Sequence, residues 1–391
     1  MGPKRNEFRR TENRQLNVPS VAALFVSILS VYSLSGLAKP VSQPSALDNS
    51  DFQIKEKTQS QPASWIESSG KTSKKVQPPA DTTGKKPETL PAPQVMVKPQ
   101  EHQMPLTSQA SSFETSFTSW PASGKQPIAA ILSIHGFGLY KESFAGFAKR
   151  MASRGISTYA IDVRGFGSWK GEPGEDKKLD FYQTMMDLRS AIYWVKTMNP
   201  GVPVFLLGES MGGAIALQAT ALFPEYVSGL IASVPGSQYY GGKKAAMEVA
   251  LRMVRPNSKF NVGDKVIERA TSNKLLRDNW AKDPRAKLEM TPKQMTQFAA
   301  FMNQSDEMAK RIESVPVLML QGGRDKLSKA DGTLRLFNAL KTPYKNYVLL
   351  DDAEHLIFEK GQYDARTAEI VENWLTRQSQ RLKSAGFGNP K

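Results

Sequence analysis

From Phe113 onward, strand-like apolar runs alternate with helix-like stretches, which predicts an α/β domain. In such a domain a mainly parallel central sheet is covered by helices on both faces. Two further observations point the same way. A Gly-x-Ser-x-Gly pattern sits between one apolar run and one helix-compatible run. The polar residues with chemical potential follow the ends of strands, where open α/β sheets gather their sites.

Taken in order, strands are expected near 128–134, 156–161, 203–208, 227–233, 315–320 and 345–350. Helices are expected near 141–153, 178–197, 211–222, 328–340 and 362–382. Ala129-Ala130-Ile131-Leu132-Ser133-Ile134 and Val315-Pro316-Val317-Leu318-Met319-Leu320 read as buried strands. A long helical insert, roughly 236–312, separates the fourth expected strand from the fifth and reads as a cap over the sheet end. The expected domain runs from 112 to 391.

Before it lie two segments of other character. Lys4, Arg5, Arg9, Arg10 and Arg14 precede an uncharged stretch from Gln15 to Ala38. Residues 1–38 therefore read as a secretory signal peptide or a single membrane anchor. Either reading puts the folded domain outside the cytoplasm, secreted, periplasmic or tethered. Residues 39–111 are rich in Pro, Ser, Gln, Lys and Thr and too poor in large apolar residues to bury a core, so a disordered tether is predicted. The chain has no cysteine, which excludes disulfides and thiolate metal sites. Lys and Arg number 52 against 37 Asp and Glu, a net charge of +15 that favours anionic surfaces.

The serine pattern is Gly208-Glu209-Ser210-Met211-Gly212. Val204-Phe205-Leu206-Leu207 precedes it and Gly213-Ala214-Ile215-Ala216-Leu217 follows. A strand, a sharp turn and a helix make a nucleophile elbow, which lifts the Ser210 hydroxyl above the sheet end. A serine needs a base to take its proton. The chain offers three histidines. His102 lies in the Pro-rich tether, and His135 precedes the serine. His355 follows the strand pattern Tyr347-Val348-Leu349-Leu350. On a nucleophile elbow the acid and then the histidine follow the serine in the chain, and His355 alone fits that order. Asp325, in Gln321-Gly322-Gly323-Arg324-Asp325 after the strand near 315–320, is the expected acid. Asp331 is expected in the next helix, and Asp351 and Asp352 in a loop. The N–H groups of Met211 and Phe137 are the expected oxyanion donors. His135 is expected to shape the Phe137 loop by hydrogen bonding.

Three segments together resemble the α/β-hydrolase superfamily, and within it the monoacylglycerol lipase and lysophospholipase branch of serine aminopeptidase-like hydrolases. They are His135-Gly136-Phe137-Gly138, Asp162-Val163-Arg164-Gly165-Phe166-Gly167-Ser168, and the run from Pro200 to Ala214. The resemblance covers roughly 112–380, weakens across 236–312, and implies the α/β-hydrolase fold with a Ser210, Asp325 and His355 triad. Many relatives have histidine at the position of Glu209 and a small residue at that of Phe137, so Phe137 is expected to narrow the acyl pocket.

The cap holds Met247, Met253, Met290, Met295, Met302 and Met308, which suit either an acyl chain or plain helix packing. Lys243, Lys244, Arg252, Arg255, Lys259, Lys265 and Arg269, interleaved with Met247, Leu251 and Val254, form a membrane-facing surface or a solvated basic face. Asp162 and Arg164 are read as structural, with Arg164 pinning the loop at 165–167. The expected activity is ester hydrolysis through an acyl-enzyme on a monoacylglycerol or lysophospholipid-type substrate. The alternatives are an aminopeptidase or amidase on the same triad, drawing on Glu248, Glu268, Asp278 or Glu289 to bind an amine, and an inert binding protein. No metal, no cofactor, no protein partner and no specific nucleic acid is implied.

Overall fold

The structure is a computed structural model and describes residues 100–103, 116–124, 126–169, 179–359 and 361–386. The leader at 1–38 and the tether up to residue 99 lie outside the described residues. Among those described, no helix is long and apolar enough to cross a membrane.

Eight strands form the main sheet: β1 (Gln100–Gln103), β2 (Ser116–Trp120), β3 (Ala129–Ile134), β4 (Ile156–Ile161), β5 (Val204–Glu209), β6 (Gly229–Ser233), β7 (Val317–Gly322) and β8 (Lys345–Leu350). Their spatial order is β1-β2-β4-β3-β5-β6-β7-β8. Every pair from β4 to β8 is parallel, and β1 and β2 add an antiparallel edge. This is the mainly parallel sheet of an α/β-hydrolase fold, with helices on both faces. Register places Ile134 beside Gly208 and Glu209 beside Ser233, so the carboxyl ends of the central strands finish together.

The pleat sorts strand residues into two cores, because alternate side chains point to opposite faces. Leu132, Ile134, Leu206, Leu230, Ala232 and Met319 face a core built with α2 (Phe181–Met198), α3 (Met211–Leu222) and α9 (Ala330–Ala339). Ile131, Phe205, Leu207, Ile231, Leu318 and Leu320 face a core built with α1 (Ala145–Ser153) and α10 (Ala365–Ser384). The α3 helix is buried all round from Met211 to Thr220, which fits its apolar sequence and its place against the sheet centre.

The cap comprises α4 (Gly242–Arg252), α5 (Gly263–Ala270), α6 (Lys274–Lys282), α7 (Pro292–Met302) and α8 (Ser305–Ala309). Phe260–Asn261 pairs with Glu289–Met290 in a short antiparallel ladder between them. Met290 and Met302 are buried in the α2–α3 core, and Met295 and Met308 pack against it, so these four thioethers serve packing. Met247 is 58% exposed on α4.

Two elements depart from the sequence reading. β1 lies inside the stretch assigned to the tether and carries His102, so the sheet starts before residue 112. Gln100-Glu101-His102-Gln103 has no apolar alternation, and an edge strand defined by backbone pairing with β2 leaves no trace in hydropathy. β2 itself, with Thr118 and Ser119 among its five residues, is equally silent to that pattern.

Candidate active site

The β5 strand ends at Glu209 and α3 begins at Met211, so Ser210 alone makes the turn. It does so at φ 56, ψ −116. A side chain held in that region costs about 1–3 kcal/mol, which the surrounding structure must offset. Two backbone bonds help hold it: the Ser210 N–H donates to Ser233 O at 2.9 Å, and its carbonyl accepts from Ala214 N at 3.1 Å. The glycines are needed for close approach. A Cβ on Gly208 would sit 2.0 Å from the Gly212 carbonyl oxygen, and one on Gly212 would sit 2.0 Å from that of Ile134.

His355 and Asp325 arrive on the loops after β8 and β7. His355 Nε2 lies 2.8 Å from Ser210 Oγ. His355 Nδ1 lies 2.8 Å from Asp325 Oδ2. A carboxylate can only accept, so Nδ1 carries the proton and Nε2 offers its lone pair to the serine hydroxyl. Asp325 Oδ1 accepts from the N–H groups of Leu327 at 2.7 Å and Ser328 at 2.8 Å. Gln321 Nε2 also donates to Oδ2 at 3.3 Å, and the Thr333 hydroxyl holds Gln321 by donating to its Oε1 at 2.6 Å. Ser210, Asp325 and His355 are all buried.

The loop after β3 closes the other side. A Cβ on Gly136 would lie 3.5 Å from the Ser210 Cβ, which sets Phe137 beside Ser210. Neither the Phe137 N–H nor the Met211 N–H has an acceptor among the described residues. His135 braces this loop: Nδ1 donates to Gly136 O at 2.8 Å and Nε2 accepts from Val163 N at 3.0 Å. Burial lowers its pKa, opposed by the Asp162 charge, and both ring nitrogens are occupied. Asp162 pins its own loop and the segment after β3, accepting from Ser168 N at 2.9 Å and Lys141 N at 2.7 Å. Arg164 was expected to hold the 165–167 loop directly. It instead forms a two-pronged pair with Asp187 of α2, at 2.5 and 2.9 Å, and lies over the Trp169 ring. The planar guanidinium matches a carboxylate better than it matches scattered loop carbonyls.

Several contributors carry no sequence signal. Gly138 O accepts from Lys287 N at 3.1 Å and from Trp280 Nε1 at 3.3 Å, both from the cap. The Tyr140 hydroxyl donates to Asp283 at 2.5 Å, and the Arg285 guanidinium covers the Tyr140 ring at 4.0 Å. The cap thus grips the loop that carries Phe137. The Phe137 ring packs edge-on against Phe166 and against Phe298 of α7, and Phe301 stacks on Phe181 at 4.3 Å. These rings belong to the buried core that backs the Phe137 loop. Glu209 accepts from Ile357 N at 2.6 Å and Phe358 N at 2.9 Å in the histidine loop. Among the described residues, no group of three or more side chains is placed to hold a metal ion.

A family model described as serine aminopeptidase, S33, matches residues 125–361. The chain belongs to this family. Several curated and solved proteins are similar to it. Human monoglyceride lipase is 27% identical over 285 residues, covering 69% of this chain and 88% of that protein. The phospholipase YtpA of Bacillus subtilis is 25% identical over 250 residues, covering 62% of this chain and 93% of that protein. Among solved structures, a monoglyceride lipase from Saccharomyces cerevisiae in complex with a substrate analog superposes with a TM-score of 0.60 at 21% identity, covering 74% of this chain and 96% of that one. A monoacylglycerol lipase from Paleococcus ferrophilus superposes with a TM-score of 0.56 at 22% identity, covering 68% and 99%. The S33 match spans the elbow, the acid loop and the histidine loop in one stretch.

Proposed function

We propose that this chain is a serine carboxylic ester hydrolase that works through an acyl-enzyme, with Ser210 as nucleophile, His355 as general base and Asp325 as its orienting acid. The pair of 2.8 Å contacts through which His355 bridges Ser210 and Asp325 carries this reading. Ser210 Oγ attacks the ester carbonyl carbon while its proton passes to His355 Nε2. The oxyanion that forms accepts from the Phe137 and Met211 N–H groups. The carbon–oxygen bond to the alcohol breaks, and His355 gives its proton to the leaving oxygen. Water then attacks the acyl carbon, losing its proton to His355, and the proton returns to Ser210 Oγ. Asp325 stays ionised throughout.

The substrate class is a monoacylglycerol or lysophospholipid-type lipid. The Phe137 ring, packed on Phe166 and Phe298, gives that side of Ser210 an apolar character that suits an acyl chain, and relatives are named for lipase and phospholipase activity. An amine-binding cap is disfavoured by where its carboxylates lie. Glu268, Asp278 and Glu289 are exposed, and Glu248 is already held by Lys265 at 2.8 Å and Arg252 at 3.2 Å. The outer helix α4 buries no residue and exposes Met247, Leu251 and Lys243, with Val254 just beyond it, so an anionic membrane surface is its proposed partner.

The test is hydrolysis by the full-length protein of short and long acyl esters, a monoacylglycerol, a lysophospholipid and an aminoacyl arylamide, with Ser210→Ala as blank. Long-chain esters should be preferred, and Ser210→Ala should lose turnover. Preference for the arylamide would transfer the protein to the peptidases.

A further inference from the structure

We infer that Glu209 is a positioning residue for the general base: a buried carboxylate on the strand that presents Ser210 clamps the loop that presents His355. The inference rests on the roles proposed above for Ser210 and His355. Glu209 is the last residue of β5, directly before Ser210, and is 2% exposed. Its Oε1 accepts from Ile357 N at 2.6 Å and from Phe358 N at 2.9 Å, two and three residues past His355. The Ile357 and Phe358 side chains are sunk in the α1–α10 core, where the Phe358 ring meets Phe147 at 4.8 Å. Apolar contacts of that kind hold the loop down without fixing its direction. The two hydrogen bonds to Glu209 supply the direction. One side chain therefore ties the nucleophile's strand to the base's loop.

A buried carboxylate is costly unless it is bonded, and no Lys or Arg pairs with this one among the described residues. The ionisable groups that act on it are His355, whose positive form favours the charge, and Asp325, which opposes it. Burial, only partly offset by the two N–H groups, pushes Glu209 up to about 7. The charge is thus kept close to the point of being lost. Ionised, it makes charge-assisted bonds to both N–H groups and adds a second negative group to the surroundings of the imidazolium that forms on His355. Protonated, it keeps neutral and weaker bonds and no charge.

The Glu209→Gln variant fixes the neutral form with nearly the same shape. The measurement is kcat and kcat/KM from about pH 5 to 9 on a soluble p-nitrophenyl ester, using the full-length protein, with Ser210→Ala alongside. In the wild type the acid limb of log(kcat/KM) should carry a component from protonation of Glu209 near pH 7. In Glu209→Gln that component should be absent and the slope correspondingly shallower, and plateau kcat should drop about ten-fold with KM within about two-fold. The variant should melt no lower than the wild type at pH 8, since it buries no charge. An unchanged slope and plateau would overturn the inference, as would a lower melting temperature with an unaltered profile shape, the mark of a merely structural residue. In either case, loss of turnover in Ser210→Ala would leave the hydrolase reading standing. Turnover retained in Ser210→Ala would instead remove that reading itself.

Discussion

The carboxyl end of the sheet and the cap that covers it are built on different terms. At the elbow on the sheet end, backbone does the positioning. Ser210 is held at φ 56 by bonds to Ser233 and Ala214, and the glycines on either side have no room for a Cβ. In the cap, side chains do it. Trp280, Asp283 and Arg285 grip the loop at 136–140, while α4 buries nothing. Reaction geometry tolerates errors well below an ångström, so the placement of Ser210 rests on backbone. Substrate choice needs shape and surface, which exchangeable side chains provide.

The largest effects should therefore come from the sheet end. Ser210→Ala should cost about 10⁴-fold or more in kcat, because the proposed nucleophile, base and acid would act as one unit. Asp325→Asn should come close, at about 10³–10⁴-fold. An amide at that place can donate to His355 Nδ1 and so favours the tautomer in which Nε2 is protonated and useless as a base. Single-turnover kinetics on a p-nitrophenyl ester would measure both. A Asp325→Asn variant within ten-fold of the wild type would break the contrast, because the acid would then be no more critical than a cap residue.

An intermediate effect is expected where the two regions meet. Trp280→Phe keeps the buried ring but removes the indole N–H that donates to Gly138 O, leaving Lys287 N as the partner from the cap. One neutral hydrogen bond is worth about 1 kcal/mol, so kcat should fall about three- to ten-fold. KM for a short ester should change little, since the lost bond orients the Phe137 loop and leaves the apolar packing of its ring in place. A change confined to KM would mean that Trp280 shapes the pocket instead.

How much of this could be read from the chain follows the same division. The strands β3 to β8 announce themselves as apolar runs, and the elbow is a short motif because its backbone demands glycine at fixed places. Asp325 and His355 stand out because each follows a strand in a set chain order, and the structure brings both to Ser210. The cap's contribution was not. Trp280 and Asp283 meet the β3 loop across more than 140 residues of sequence, and no local pattern marks such a contact. Glu209 was visible as a residue but not as a clamp, because its two partners are backbone groups whose position depends on the whole fold. Arg164 was legible as structural, while its partner Asp187 on α2 was hidden for the same reason.

The smallest effect is expected at the outer face of the cap, and it should appear on one kind of substrate only. Leu251 and Val254 are 66% and 82% exposed, and they lie among the exposed side chains of Lys243, Lys244 and Arg255. Burying an apolar side chain in a lipid interface gains up to about 1.5–3 kcal/mol, less when insertion is partial. Each basic residue near an anionic surface adds about 1 kcal/mol at low salt. Replacing Leu251 and Val254 together by serine should therefore raise KM for lipid presented in anionic vesicles about ten-fold. Added salt should raise KM further in both proteins, because screening weakens the lysine and arginine contribution and leaves the apolar part intact. Hydrolysis of a soluble short-chain ester should be unchanged, since α4 contributes no residue to the buried core and none of the contacts around Ser210. An equal loss on soluble and vesicle substrates would mean that the cap's outer face supports the fold of the site, and the division between the two regions would then fail at its outermost point.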